Sequence, residues 1–187
     1  MKYYKKLVGD RIYLSPRNSE DYEIFTEWLN DFQVSDYIGK SACVMTNESE
    51  KEFLQKNINP EATFSIVDLE NDKMVGTVGI ESIDHLNRCG TLGVFIGEKD
   101  YRDKGYGTEA IKMVLEYGFK YLNLKNIKLD LLSVNERAYR CYQKCGFKEY
   151  GRRRKCTFLN GNYYDKISMD ILDEEFEGDY IRNKNIK

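Results

Sequence analysis

Arg102-Asp103-Lys104-Gly105-Tyr106-Gly107 stands between two patterns of different period. Upstream, Leu92, Val94 and Ile96 alternate as a half-buried strand does. Downstream, Ile111, Val114, Leu115, Gly118, Phe119 and Leu122 follow the spacing of a helix with one buried face. Two glycines at such a junction let the backbone turn free N–H groups outward. The first turn of a helix leaves several N–H groups without partners, and the positive end of its dipole favours an anion. The stretch therefore predicts a cradle for a phosphorylated ligand.

Working outward, Ile12-Tyr13-Leu14, closed by Pro16, reads as a first strand, and Ser19 as the cap of a helix running to Asn30. Asp31 to Met45 has no period, and a more polar helix opens at Thr46 or Asn47 and ends near Asn59-Pro60. Thr63 to Leu69 and Met74 to Ser82 form a hairpin around Glu70-Asn71-Asp72-Lys73. Beyond the central helix come a strand with Ile127, Leu129 and Leu131 and a short helix capped by Asn135 and stopped by Gly146. A long hairpin then turns at Asn160-Gly161, and Asp173 to Asp179 reads as a frayed acidic tail. The expected product is a single mixed α/β domain over 1–187, with a core from about residue 7 to 172.

Composition narrows the function. A net charge of -2 does not support a nucleic-acid footprint, and Arg152-Arg153-Arg154-Lys155 falls inside a strand pattern. No run is apolar enough for a membrane span or a secretory leader, which points to the cytoplasm. Five cysteines and one histidine supply no paired zinc-ligand spacing, so no metal is expected. The triphosphate loop Gly-x-x-x-x-Gly-Lys-Ser/Thr is absent. Gly105-x-Gly107-x-x-Ala110 does fit the dinucleotide fingerprint, with Asp130 beyond it. The polar insertion from Glu98 to Lys104 and the place of Asp130 within a strand oppose that reading.

Taken together, Leu92 to Gly97, Tyr101 to Ala110, Asn135-Glu136-Arg137-Ala138 and Tyr142-Gln143-Lys144-Cys145-Gly146-Phe147 resemble the GNAT superfamily of N-acetyltransferases. Leu7-x-Gly9-x-Arg11 and Gly161-x-Tyr163-x-Asp165 extend the likeness to nearly the whole chain. The branch is the one holding ribosomal-protein N-terminal acetyltransferases and spermidine acetyltransferases. The resemblance implies a mixed, mostly antiparallel sheet with helices on both faces, in which one parallel strand pair splays apart. It implies acetyl-CoA as co-substrate and direct transfer of acetyl to a primary amine, a protein N-terminus or a small amine or polyamine. A CoA-binding sensor or interaction module on the same fold is the alternative. A homodimer is a further expectation.

The same resemblance assigns the residues. The backbone of Val94, Phe95 and Ile96 would bond the pantetheine arm. Arg102, Asp103, Lys104, Gly105, Tyr106, Gly107 and Thr108 would wrap the pyrophosphate, with charge from Arg102 and Lys104. Asn135 would contact the donor as well as cap its helix, and Lys144 would reach a phosphate or simply face solvent. Tyr142 would protonate the departing thiolate; by spacing alone it is a core residue on the stripe of Ala138, Cys141 and Cys145. Many relatives carry Glu where this chain has Thr91, which leaves Glu81, or Asp84, as the substitute base.

Overall fold

A computed structural model describes residues 2–56 and 62–185. The strands and helices in chain order are β1 (Leu7–Val8), β2 (Ile12–Pro16), α1 (Tyr22–Asn30), α2 (Phe32–Ser35), α3 (Asn47–Lys56), β3 (Ala62–Asp68), β4 (Met74–Asp84), β5 (Cys89–Ile96), α4 (Tyr106–Lys120), β6 (Asn126–Leu132), α5 (Glu136–Lys144), β7 (Lys148–Leu159) and β8 (Asn162–Leu172). The strands make one sheet in the order β1-β2-β3-β4-β5-β6-β8-β7. All neighbours are antiparallel except β5 and β6.

That parallel pair holds for three registers, Cys89–Asn126, Gly90–Ile127 and Thr91–Lys128, and then parts. Beside the parting point β4 is bulged between Glu81 and Asp84, with Ser82 at φ 51. A bulge bends its strand and sharpens the local twist. From Leu92 onward β5 is bonded only to β4, so its groups on the β6 side face a gap. The splayed pair expected from the resemblance is present.

Alternation along the strands sorts two cores onto the two faces. On one face the α4 residues Ile111, Val114 and Leu115 pack against Val78, Ile80, Leu92, Ile127 and Leu129. On the other, Phe25 and Trp28 of α1, Val34 of α2 and Leu54 of α3 cover Tyr13, Val67 and Met74. Each such side chain taken out of water contributes about 1.5–3 kcal/mol, so the two layers hold the sheet from both sides.

Four expectations change. Asn18, not Ser19, caps the start of the first helical segment, accepting from Glu20 N at 3.0 Å, because the chain first makes a 3-10 turn at Ser19–Asp21. Asp31 to Met45 is not wholly irregular: Asp31 caps α2 through Gln33 N at 2.9 Å. β1 adds a two-residue strand before the first expected one. The end of α3 near Asn59-Pro60 lies outside the described residues, while its start is capped reciprocally by Thr46 and Ser49.

The fourth change is the tail, which is docked, not frayed. Phe176 packs on Phe119 with ring centroids 5.4 Å apart, and Ile181 is 3% exposed in the core. The side chain of Glu116 on α4 accepts from Tyr180 N at 2.5 Å, Ile181 N at 3.1 Å and Lys184 Nζ at 2.5 Å. A fully buried carboxylate would be costly alone; these donors make it a peg for the C-terminal segment.

Candidate active site

The loop after β5 is braced from β2. Arg11 donates to Lys104 O at 2.8 Å, pairs with Glu109 at 3.0 Å and stacks over the Tyr106 ring at 4.9 Å. Glu109 also accepts from the N–H groups of Asp10 and Arg11. Tyr106 donates to Asp68 at 2.7 Å, a bond that raises its phenol to about 12 and keeps it a donor. Gly105, at φ 85, is the residue that starts α4, and no side chain caps that start. The first N–H groups of α4 are left for a ligand.

A cavity of about 550 Å³ opens where β5 and β6 separate. Val94, Phe95, Ile96, Arg102, Asp103, Gly105, Tyr106, Gly107, Thr108, Asn135, Tyr142 and Lys144 all line it. Lys104 does not; its side chain is exposed and its carbonyl is held by Arg11. Arg102 lines the cavity with its donors already engaged. It donates to Ile96 O at 3.2 Å, Gly97 O at 2.6 Å and Gln33 Oε1 at 3.2 Å, and lies 3.8 Å from Asp31. Its donors clamp the end of β5 to α2, and what reaches the cavity is charge.

Basic side chains that the sequence reading passed over take that place. Arg137 and Arg140 line the same wall as Lys144, all on α5. Their spacing of three and four residues is the available signal, since it puts them on one helix face. Gln33 and Val34 of α2 and Tyr37 just beyond it close the cavity from the far side, within the Asp31–Met45 segment where the sequence placed part of the acceptor site. A second cavity of about 590 Å³ shares Gln33, Tyr37, Arg102, Asn135 and Arg137 with the first and widens its mouth.

Asn135 caps α5, accepting from Ala138 N at 3.1 Å, and α5 carries Tyr142 into the cavity wall. Tyr142 packs edge-on against Phe147 at 5.8 Å. Burial, then the neighbouring Cys141 and Cys145, push its phenol above the usual value, so it stays protonated. Its hydroxyl has no hydrogen-bond partner among the described residues. Cys141 lies 3.2 Å from Thr108 Oγ1; its interaction with Cys145 brings its own thiol down and, with burial, pushes that of Cys145 up.

Glu81 does not line the cavity. It sits opposite Thr91 at the parting of β5 and β6, exposed, with Oε1 4.0 Å from where a Cβ would stand on Gly93, which does line it. Asp84 is committed elsewhere: it accepts from Asn87 N at 2.9 Å and Asn87 Nδ2 at 2.7 Å. Those bonds hold its carboxyl below the ordinary range and make it a turn residue. No cluster of three or more metal-ligating side chains occurs among the described residues.

The residues present fit acetyl-CoA: a strand gap for an amide-bearing arm, a glycine-started helix for a pyrophosphate, and a basic wall for further phosphate. A family model described as acetyltransferase (GNAT) domain matches residues 11–148. The uncharacterized N-acetyltransferase YnaD of Bacillus subtilis is 28% identical over 91% of this chain and 98% of its own length. Spermidine N(1)-acetyltransferase of Escherichia coli is 29% identical over 94% of this chain and 82% of its own. The crystal structure of spermidine N-acetyltransferase from Vibrio cholerae in complex with CoA and spermine superposes with a TM-score of 0.81 at 25% identity, covering 88% of this chain and 97% of that one. The chain belongs to the GNAT acetyltransferases and is an acetyl-CoA-dependent N-acetyltransferase.

Proposed function

We propose that the chain acetylates a small primary amine in the cytoplasm by direct attack, with Tyr142 as the acid. The observation that carries this reading is the unpartnered Tyr142 hydroxyl in the wall of the cavity that opens between β5 and β6. The unbonded edge of Leu92 to Ile96 holds the pantetheine amides as an added strand. The start of α4 at Gly105 to Thr108 takes the pyrophosphate, and Arg137, Arg140 and Lys144 bear on the outer phosphate. Bound there, acetyl-CoA supplies an activated thioester.

Glu81 stands at the parting of β5 and β6, where an incoming ammonium can shed its proton to it or through water. The supply of neutral amine then depends on the amine's own pKa. An α-amine of pKa about 8 is roughly a tenth neutral at pH 7, against roughly 0.04% for a lysine-like amine. The relatives point to spermidine among small amines. The five cysteines, all free, suit a reducing compartment. A homodimer goes with this reading through the exposed aromatics of the β7–β8 hairpin.

The test is release of CoA thiol across polyamines, amino acids and N-terminal peptides, with Tyr142→Phe beside wild type. The expected outcome is a roughly 10–100-fold fall in kcat with the KM for acetyl-CoA unchanged. Equal turnover by the two proteins on a good acceptor removes Tyr142 from the chemistry.

A further inference from the structure

The sheet face opposite α4 carries a guanidinium with too few partners. Arg17 follows β2 and lies over the Phe25 ring, Cζ 5.7 Å from its centroid. Its one hydrogen bond among the described residues is long, Nη2 to Thr77 Oγ1 at 3.5 Å. Its Nε is buried with no partner, and no carboxylate lies within 4.0 Å of the group among the described residues. Glu81 and Glu50 are the acids whose charge it feels. Nη1 has no partner among the described residues and is not one of the buried unpartnered atoms, so the terminal edge of the fork is open.

A desolvated guanidinium left this way is costly, and a bidentate carboxylate is the ligand its geometry fits. The register shows what lies along the sheet from Thr77. Thr77 lies opposite Phe95, and Gly79 opposite Gly93. Two residues along a strand cover about 7 Å on one face. The open fork is therefore one step along the sheet from Gly93, where the donor cavity and the Glu81 carboxylate meet. A Cβ at Gly93 would meet nothing nearer than that carboxylate, so the space over Gly93 is clear.

Resting on the N-acetyltransferase reading above, we propose that the acceptor carries a carboxylate as well as its amine, and that Arg17 selects for it. The carboxylate docks on the Nη1/Nη2 edge of Arg17, and the amine lies over Gly93 beside Glu81. With Glu50 and Glu81 near Arg17, a bare acid would be repelled. A zwitterion brings its own cation to Glu81 and its anion to Arg17. A polyamine satisfies Glu81 and leaves the guanidinium unpaired. The acceptor class is amino acids, in contrast to the polyamines of the relatives.

Lysine with cadaverine, and ornithine with putrescine, are pairs that differ by one carboxylate. Wild type is expected to show a higher kcat/KM for the carboxylate-bearing member of each pair. Arg17→Met should cut that value roughly 10–100-fold while changing the diamines less than about threefold. Arg17→Lys, which keeps charge and loses the fork, should fall between, and it serves if Arg17→Met does not fold. Wild type preferring the diamines, or Arg17→Met lowering both members of a pair alike, overturns the proposal. If no amine releases CoA thiol, the transferase reading fails by itself. Calorimetric titration of the CoA-loaded protein with lysine and cadaverine then decides the Arg17 assignment: tighter lysine binding lost in Arg17→Met supports it, and equal binding overturns it.

Discussion

Gly105 and Gly107 look alike in the sequence and carry different loads. Gly105 sits at φ 85, and a Cβ there would also stand 3.0 Å from Arg11 Nη2. Gly107 lies inside α4, where a Cβ would meet only Ile96 Cγ1 at an ordinary 3.7 Å. Gly105→Ala is expected to cost about 1–3 kcal/mol and lower the Tm by several degrees. Gly107→Ala should leave the Tm equal or higher while raising the KM for acetyl-CoA roughly tenfold, because the added methyl fills the ligand's approach. Thermal melts and initial rates on both variants check the difference. The glycine pair was legible because its spacing is local. Arg102 was not: its commitment to Ile96 O and Gly97 O depends on where β5 ends and on α2 folding over it. Glu81 was found only as an acid near the end of the strand preceding Thr91, and the bulge that follows it is one that no periodicity records.

At the scale of elements, sequence period served wherever an element was long and half-buried. α4 and β6 followed their apolar spacing, and Asn160-Gly161, at φ 46 and 76, turned the hairpin as its type requires. α2 is a single turn and β1 two residues, too short to show a period. The C-terminal segment was misread because its acidic composition suggested solvent, whereas Phe176, Tyr180 and Ile181 are spaced to dock on α4. Its peg, Glu116, is pulled two ways. Burial pushes the carboxyl up, but the Lys184 ammonium and the N–H groups of Tyr180 and Ile181 outweigh it and hold it below the ordinary value. A carboxyl depressed in the fold contributes stability above its unfolded pKa of about 4.3, and that stability is lost as pH falls further. Amide protection of Tyr180 and Ile181, corrected for intrinsic exchange, should therefore fall below about pH 4 before that of β3 and β4. Glu116→Ala should abolish that protection already at pH 7 and lower the Tm by roughly 5–10 °C. Protection that persists in Glu116→Ala shows that the apolar contacts alone hold the segment.

For the whole molecule, the β7–β8 hairpin is the part of the sheet least covered. Phe158 and Tyr163 are 62% and 63% exposed and pack on each other at 5.2 Å, with Tyr150 at 56%. The free edge of β7 bears Arg152, Arg153 and Arg154 and a register shift before Thr157, features that discourage edge-to-edge pairing. Association of two copies through the aromatic patch is the expected outcome. Sedimentation velocity is expected to return a dimer for wild type and a monomer for Phe158→Ser/Tyr163→Ser. A monomeric wild type refutes the dimer.

The parting of β5 and β6 also has a mechanical meaning. Five strands on one side and three on the other are stitched by three residue pairs, from Cys89–Asn126 to Thr91–Lys128. Under tension across the sheet this seam yields before the ladders that flank it, since β4–β5 and β6–β8 share more residue pairs. A donor laid along the seam is a rivet: each catalytic cycle fastens the two plates and then withdraws the fastener.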